Sequence, residues 1–111
     1  MPTTIDEPTA AEIAALTGPV LLEFGTSWCG HCAAARPLIA AAMAQHPPVR
    51  HIKVEDGPGR RLGRSFRVKL WPTLVFLRNG QEALRIVRPT DESSVDQALA
   101  AIEGNPMKGS N

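Results

Sequence analysis

Apolar positions along this chain fall into three kinds of run, and each kind predicts an element. Val20-Leu21-Leu22-Glu23-Phe24 and Thr73-Leu74-Val75-Phe76-Leu77 are apolar on both faces, Glu23 aside, which is the pattern of strands buried inside a sheet. Val49 to Glu55 reads as a further strand, with Ile52 and Val54 on one face. Asn79-Gly80 is a strong hairpin turn, so Glu82 to Val87 is expected to return antiparallel to 73–77. Helical spacing appears elsewhere. Ala10, Ile13, Ala14 and Leu16 supply a short apolar stripe, with Thr9 as N-cap, Glu12 completing a capping box and Gly18-Pro19 as the stop. Gly30 to Gln45 is rich in alanine, the strongest helix former. Pro37 lies inside it and is expected to kink it, and His46-Pro47-Pro48 ends it. A loop at 56–59 leads into a short irregular helix over 60–66. Thr90 or Asp91 caps a last helix with Val95, Ala98, Leu99 and Ile102 on its buried side and Gly104 at its end.

With Ile5 assigned to a short first strand, the order is β-α-β-α-β-α-β-β-α. Parallel units come first and an antiparallel hairpin follows. The expectation is an α/β fold: a mixed central sheet flanked by helices on both faces. The 111 residues are read as one domain, 1–111, with a core over about 5–103 and a loose tail over 104–111.

Composition narrows the function classes. Hydrophobic residues make up 43% and charged residues 21%, the balance of a globular protein that buries a core. The net charge of +1 gives no global attraction to nucleic acid or to a membrane surface, so neither is expected as a partner. The first residues lack the basic and apolar regions of a signal peptide, and no apolar run approaches a transmembrane length. A cytoplasmic location is expected on those grounds.

The chemistry concentrates in Trp28-Cys29-Gly30-His31-Cys32. Cys29 and Cys32 are the only two cysteines, three residues apart, between a strand and a helix. That layout belongs to a redox-active dithiol. Both sulfurs fall on one face of the first helical turn, within reach of each other. The positive end of the helix dipole favours a thiolate on Cys29. A structural zinc site wants four ligands, and here two thiols stand with three scattered histidines, His31, His46 and His51. A metal or copper carrier using the two thiols remains the rival from another class, and an interaction module with incidental redox activity is a second. His46 and His51 show no chemistry of their own, and Gly57-Pro58-Gly59 fails the dinucleotide fingerprint.

Several positions together resemble the thioredoxin family over about 5–102: Trp28-Cys29 and Cys32, Glu23 six residues before the first cysteine, Pro37 in the second helix, Lys53 in the third strand, Trp71-Pro72-Thr73 and Asn79-Gly80. The resemblance implies the thioredoxin fold and a thiol–disulfide oxidoreductase that reduces protein disulfides. It implies no cofactor beyond the Cys29–Cys32 disulfide itself. The partners it implies are disulfide-containing proteins and a reductase or small thiol that restores the dithiol, with the chain acting as a monomer. Cys29 is then the attacking thiolate and Cys32 the resolving thiol.

The same resemblance gives roles to neighbours. Burial disfavours a charged carboxylate, so Glu23 can carry a proton and serve Cys32; Asp is the usual residue there, and Glu is one methylene longer. Lys53 is the expected counter-charge for Glu23. Pro72 is implied to follow a cis bond in a loop against the disulfide, keeping backbone open for a substrate strand. Trp28 shields the dithiol. Trp71, where smaller aliphatic residues are common, either widens an apolar docking surface or fills core volume. Gly30 and His31 replace the usual Gly-Pro and resemble protein disulfide isomerases; an imidazolium at His31 favours the Cys29 thiolate, the reduced dithiol and a more oxidising couple. An oxidising or isomerase-like role is therefore the alternative within this chemistry. Arg88 and Pro89 stand where thioredoxins often have a glycine, and the bulky cation is expected to narrow or re-aim the substrate groove. Arg60, Arg61, Arg64, Arg67 and Lys69 form a basic stretch, read as a solvated face.

Overall fold

Thr9 opens the first helix, α1 (Ala10–Ala14), with the expected capping box: its hydroxyl accepts from the Glu12 N–H at 3.0 Å while the Glu12 carboxylate accepts from the Thr9 N–H at 2.9 Å. The computed structural model describes residues 7–104. The strand expected at Ile5 and nearly all of the tail expected over 104–111 lie outside them. The remaining elements are β1 (Pro19–Gly25), α2 (Gly30–Ala44), β2 (Arg50–Glu55), α3 (Arg61–Ser65), β3 (Thr73–Arg78), β4 (Gln81–Val87) and α4 (Glu92–Glu103). Each matches an element read from the sequence within two residues at either end.

The four strands form one sheet in the order β2-β1-β3-β4. β1 runs parallel to β2 and antiparallel to β3, and β3 runs antiparallel to β4. The mixed sheet expected from the element order is therefore present. β1 and β3 are central, and their near-continuous burial follows from being covered on both faces. Alternate residues part to the two sides. Leu21, Leu74 and Phe76 pack with Ile39, Val95, Leu99 and Ile102 under α2 and α4. Val20, Leu22, Phe24, Val75 and Leu77 pack with Ile13 and Leu62 under α1 and α3. Each fully buried Leu, Ile or Phe contributes about 1.5–3 kcal/mol. The same alternation carries Glu23 to the α2 face with Leu21, and leaves it 7% exposed in an otherwise apolar strand.

Asn79 (φ 51°) and Gly80 (φ 78°) make the tight turn between β3 and β4. Asn79 also ties this hairpin to the start of β1: its Oδ1 accepts the Gly18 N–H at 2.9 Å, and its own N–H donates to the Gly18 carbonyl at 3.1 Å. α4 is capped by Asp91, whose side chain accepts the Ser94 N–H at 3.0 Å.

The sequence reading gave His46 no role, and the structure corrects it. His46 is buried at the end of α2, with Nε2 2.6 Å from Asp96 Oδ1 and Nδ1 3.2 Å from Glu103 Oε1, both on α4. Both ring nitrogens face carboxylates, so the imidazolium is the form that satisfies them. Burial pulls its pKa down, but hydrogen bonds to Asp96 and Glu103 outweigh that and leave it raised above 6.5. A raised folded-state value stabilises the fold fully below the unfolded pKa, and the gain is lost as pH rises through the folded value. His46→Gln is therefore expected to destabilise the protein by about 1–2 kcal/mol near pH 6 and by less as pH rises past the folded pKa. Urea denaturation of both proteins across pH 5.5–9 checks this; a difference that grows with pH sinks it.

Candidate active site

The site begins where β1 ends. Cys29 is the N-cap of α2, with extended backbone (φ −86°, ψ 126°), and Gly30 takes the first helical position. Cys32 follows one turn in and is buried, whereas Cys29 is partly exposed and His31 exposed. Both cysteines are free thiols. The backbone N–H of Cys32 acts most strongly on the Cys29 sulfur and lowers its pKa; partial burial opposes this, and the Cys32 thiol, the His31 N–H and the charge of Arg88 all add to the lowering. These are donors of a helix N-terminus, aimed at the sulfur that caps it. Burial raises the pKa of Cys32 first of all, with the Cys29 sulfur and Glu23 adding to it, against a lowering by the Thr26 N–H. The two sulfurs are therefore driven in opposite directions.

Gly25 sets how close Cys32 comes to the sheet. A Cβ built on Gly25 stands 2.6 Å from Cys32 Sγ and 3.9 Å from Pro72 Cβ. Only a residue without a side chain leaves the sulfur room against β1.

The second wall is the segment before β3. The Trp71–Pro72 peptide bond is cis, as the family resemblance implies. Trp71 is half-buried. Its indole N–H donates to Asp56 Oδ2 at 2.8 Å, and its ring meets Trp28 edge-on with centroids 5.5 Å apart. Trp71 is thus tied through its indole N–H to Asp56 and through its ring to Trp28. Trp28, 72% exposed, lies over the site rather than within the protein. The sequence reading missed Asp56. Gly63 of α3 leaves the space its carboxylate occupies. Beside Trp71, Arg60, Arg64 and Lys69 line an open cleft, so part of the basic stretch borders the site.

Arg88 takes a left-handed conformation (φ 52°) of the kind glycine adopts freely. Its N–H donates to the Pro72 carbonyl at 3.0 Å, and its Nε donates to the Trp71 carbonyl at 2.9 Å. It braces the Trp71-Pro72 segment, a contact not foreseen from sequence.

Lys53 is where the structure departs most from expectation. In register it stands directly opposite Glu23, yet its side chain is exposed, because β2 is the edge strand. Among the described residues the hydrogen-bond partner of the Glu23 side chain is His51, with Nε2 2.7 Å from Glu23 Oε1. His51, read as inert from sequence, is therefore corrected to a site neighbour. A cavity of about 320 Å³ lies behind Cys32, lined by Glu23, Thr26, Arg36, Lys53 and Glu55 among others. Among the described residues no group of three or more His, Cys, Asp and Glu is poised to hold a metal, and no helix is long and apolar enough to cross a membrane.

A mixed sheet between helices, with a dithiol at the head of the helix after the central strand, defines a thiol–disulfide exchange protein. The thioredoxin family model matches residues 3–101, and the chain belongs to that family. It is similar to the thioredoxin of Chlamydia trachomatis, 33% identical over 84 residues that cover 76% of this chain and 82% of that one. The solved structure of reduced thioredoxin 2 from Pseudomonas aeruginosa superposes with a TM-score of 0.79 at 58% identity, covering 87% of this chain and 90% of that one. Chicken protein disulfide-isomerase is 40% identical over 68 residues, 58% of this chain and 13% of that one. The chain is a protein-disulfide oxidoreductase.

Gly25→Ala is expected to push Cys32 away from β1. Close overpacking of this kind costs about 1–3 kcal/mol. Urea denaturation should register that loss, with slower closure of the Cys29–Cys32 disulfide; wild-type stability and closure would show that the sulfur has room to spare.

Proposed function

We propose that this chain reduces protein disulfides, with Cys29 as nucleophile and Cys32 as resolving thiol. The carrying observation is the opposite bias on the two sulfurs: Cys29 is partly exposed with a lowered pKa, and Cys32 is buried with a raised one. The Cys29 thiolate attacks one sulfur of the substrate disulfide, and the other leaves as a thiolate. Cys32 then loses its proton and attacks Cys29 Sγ. The second substrate sulfur leaves, the Cys29–Cys32 bond forms, and two electrons have passed to the substrate. Trp28, Trp71 and the Pro72 loop form the surface the substrate meets, with Arg88 holding that loop and adding positive charge near the thiolate. A reductase or small thiol returns the pair to the dithiol. On this reading the chain works as a cytoplasmic monomer, needing no cofactor beyond its own sulfurs.

Cys32→Ser is expected to accumulate mixed disulfides with protein substrates, and Cys29→Ser to accumulate none, as read by non-reducing electrophoresis and mass spectrometry. Equal trapping by both would overturn the role assignment.

A second reading, an oxidising or isomerase-like exchanger, is favoured by one feature: Gly30-His31 between the cysteines, with the His31 side chain exposed beside Cys29. A cation there stabilises the thiolate, hence the reduced state, and raises the reduction potential. His31→Pro is expected to make the couple more reducing by tens of millivolts, on the order of 1–2 kcal/mol. A glutathione redox titration of both proteins measures it. A potential that stays still or moves the other way removes His31 as the origin of the poise.

A further inference from the structure

The acid buried in β1 is met by a base at the edge of the sheet, and that base has a face to solvent. Residues 21 and 23 of β1 and 51 and 53 of β2 share the α2 side of the sheet, Leu21 in register with His51 and Glu23 with Lys53. The imidazole reaches diagonally across the strands, with Nε2 2.7 Å from Glu23 Oε1. The Glu23 side chain is 9% exposed and that of His51 23%. Glu23 and Cys32 line one cavity. Thr26 Oγ1 is buried on that same cavity wall with no hydrogen-bond partner among the described residues. That cavity, of about 320 Å³, has room for water, and Glu23 and Thr26 are polar groups able to hold it.

We propose that Glu23 and His51 form a proton relay from Cys32 to solvent, with His51 as the positioning and exit residue. The proposal rests on the assignment of Cys32 as the resolving thiol. In that step the Cys32 thiol gives its proton through water to Oε2 of a Glu23 carboxyl group that already holds a proton on Oε1. As Oε2 gains that proton, Oε1 passes its own to His51 Nε2, and the exposed edge of the imidazole releases one to bulk water. The Cys32 thiolate attacks Cys29 Sγ, the bond from Cys29 to the substrate sulfur breaks, and the electron pair departs on the substrate thiolate. Hydrogen-bond distance and direction make the transfer between Glu23 and His51 short.

Other charges bear on the pair from each element around it. Arg36 on α2 and Lys53 and Glu55 on β2 line the cavity with Glu23. A neutral His51 can take a proton. An imidazolium cannot. The resolving step should therefore show an acid limb, slowing where the imidazole already holds a proton. A purely structural histidine would give no such limb.

The test follows the reaction of the full chain with bis(2-hydroxyethyl) disulfide by rapid acid quench and mass spectrometry, between pH 5 and 9. Wild type, His51→Asn and His51→Gln are compared, since either amide can hydrogen-bond Glu23 but neither accepts a proton. Formation of the mixed disulfide on Cys29 should be unchanged. Its resolution at pH 7.5 should slow by about tenfold, less than the loss of a whole general base because Glu23 remains. The acid limb should flatten. Normal formation with wild-type resolution and an unchanged pH profile in both variants overturns the relay alone, as does lowered thermal stability with an unchanged profile. Failure of the wild type to form any mixed disulfide overturns the Cys29 assignment and the relay with it.

Discussion

Cys32 Sγ packs on the bare backbone of Gly25, and the rest of the site is arranged around that contact. It joins the first turn of α2 to the last residue of the central strand. Because β1 is paired on both edges and covered on both faces, that strand end cannot move independently of the core. The helix start is thereby held in place, and with it the N–H groups that lower the Cys29 pKa. Pro72 approaches the same point from the other side, so the segment before β3 is positioned against α2 by packing on β1.

The functional contrast between the two sulfurs follows from depth. Moving one turn along a helix that starts at the surface and points over the sheet takes a side chain from partial exposure to burial. Cys29 keeps the helix-terminal donors and the nearby Arg88 charge. Cys32 loses water, and the Cys29 sulfur and the Glu23 acid add to the raising of its pKa. No special group is needed to make the pair unequal; the angle of entry into the core suffices.

Much of this was legible in the sequence because it is local. The capping box at Thr9, the Asn79-Gly80 turn, the apolar runs at 20–24 and 73–77 and the spacing of Cys29 and Cys32 each depend on a few neighbouring residues. What escaped depends on register. Glu23 and His51 lie 28 residues apart, and their contact is a diagonal across parallel strands. Lysine opposite an acid was the natural pairing to expect, and the register does put Lys53 there. The edge position of β2 lets its long side chain leave for water instead, and the shorter, stiffer imidazole stays. His46 escaped for the same reason: its carboxylates at 96 and 103 come to it only once α4 packs on α2. Asp56 and Trp71 are separated by a loop and a helix whose path no periodicity describes.

Arg88 shows how a non-local contact can add to the meaning of a local signal. A bulky cation where a glycine is common looks like an obstruction. Its backbone nonetheless adopts the glycine-like conformation, at a cost of about 1–3 kcal/mol for a residue with a side chain. Two hydrogen bonds offset that cost, one from its N–H to the Pro72 carbonyl and one from its guanidinium to the Trp71 carbonyl. The guanidinium can reach back only because the chain turns left-handed there. The strain and the brace are thus one feature. It closes the loop of contacts from Asp56 through Trp71 to Arg88, and so holds the second wall of the site against the first.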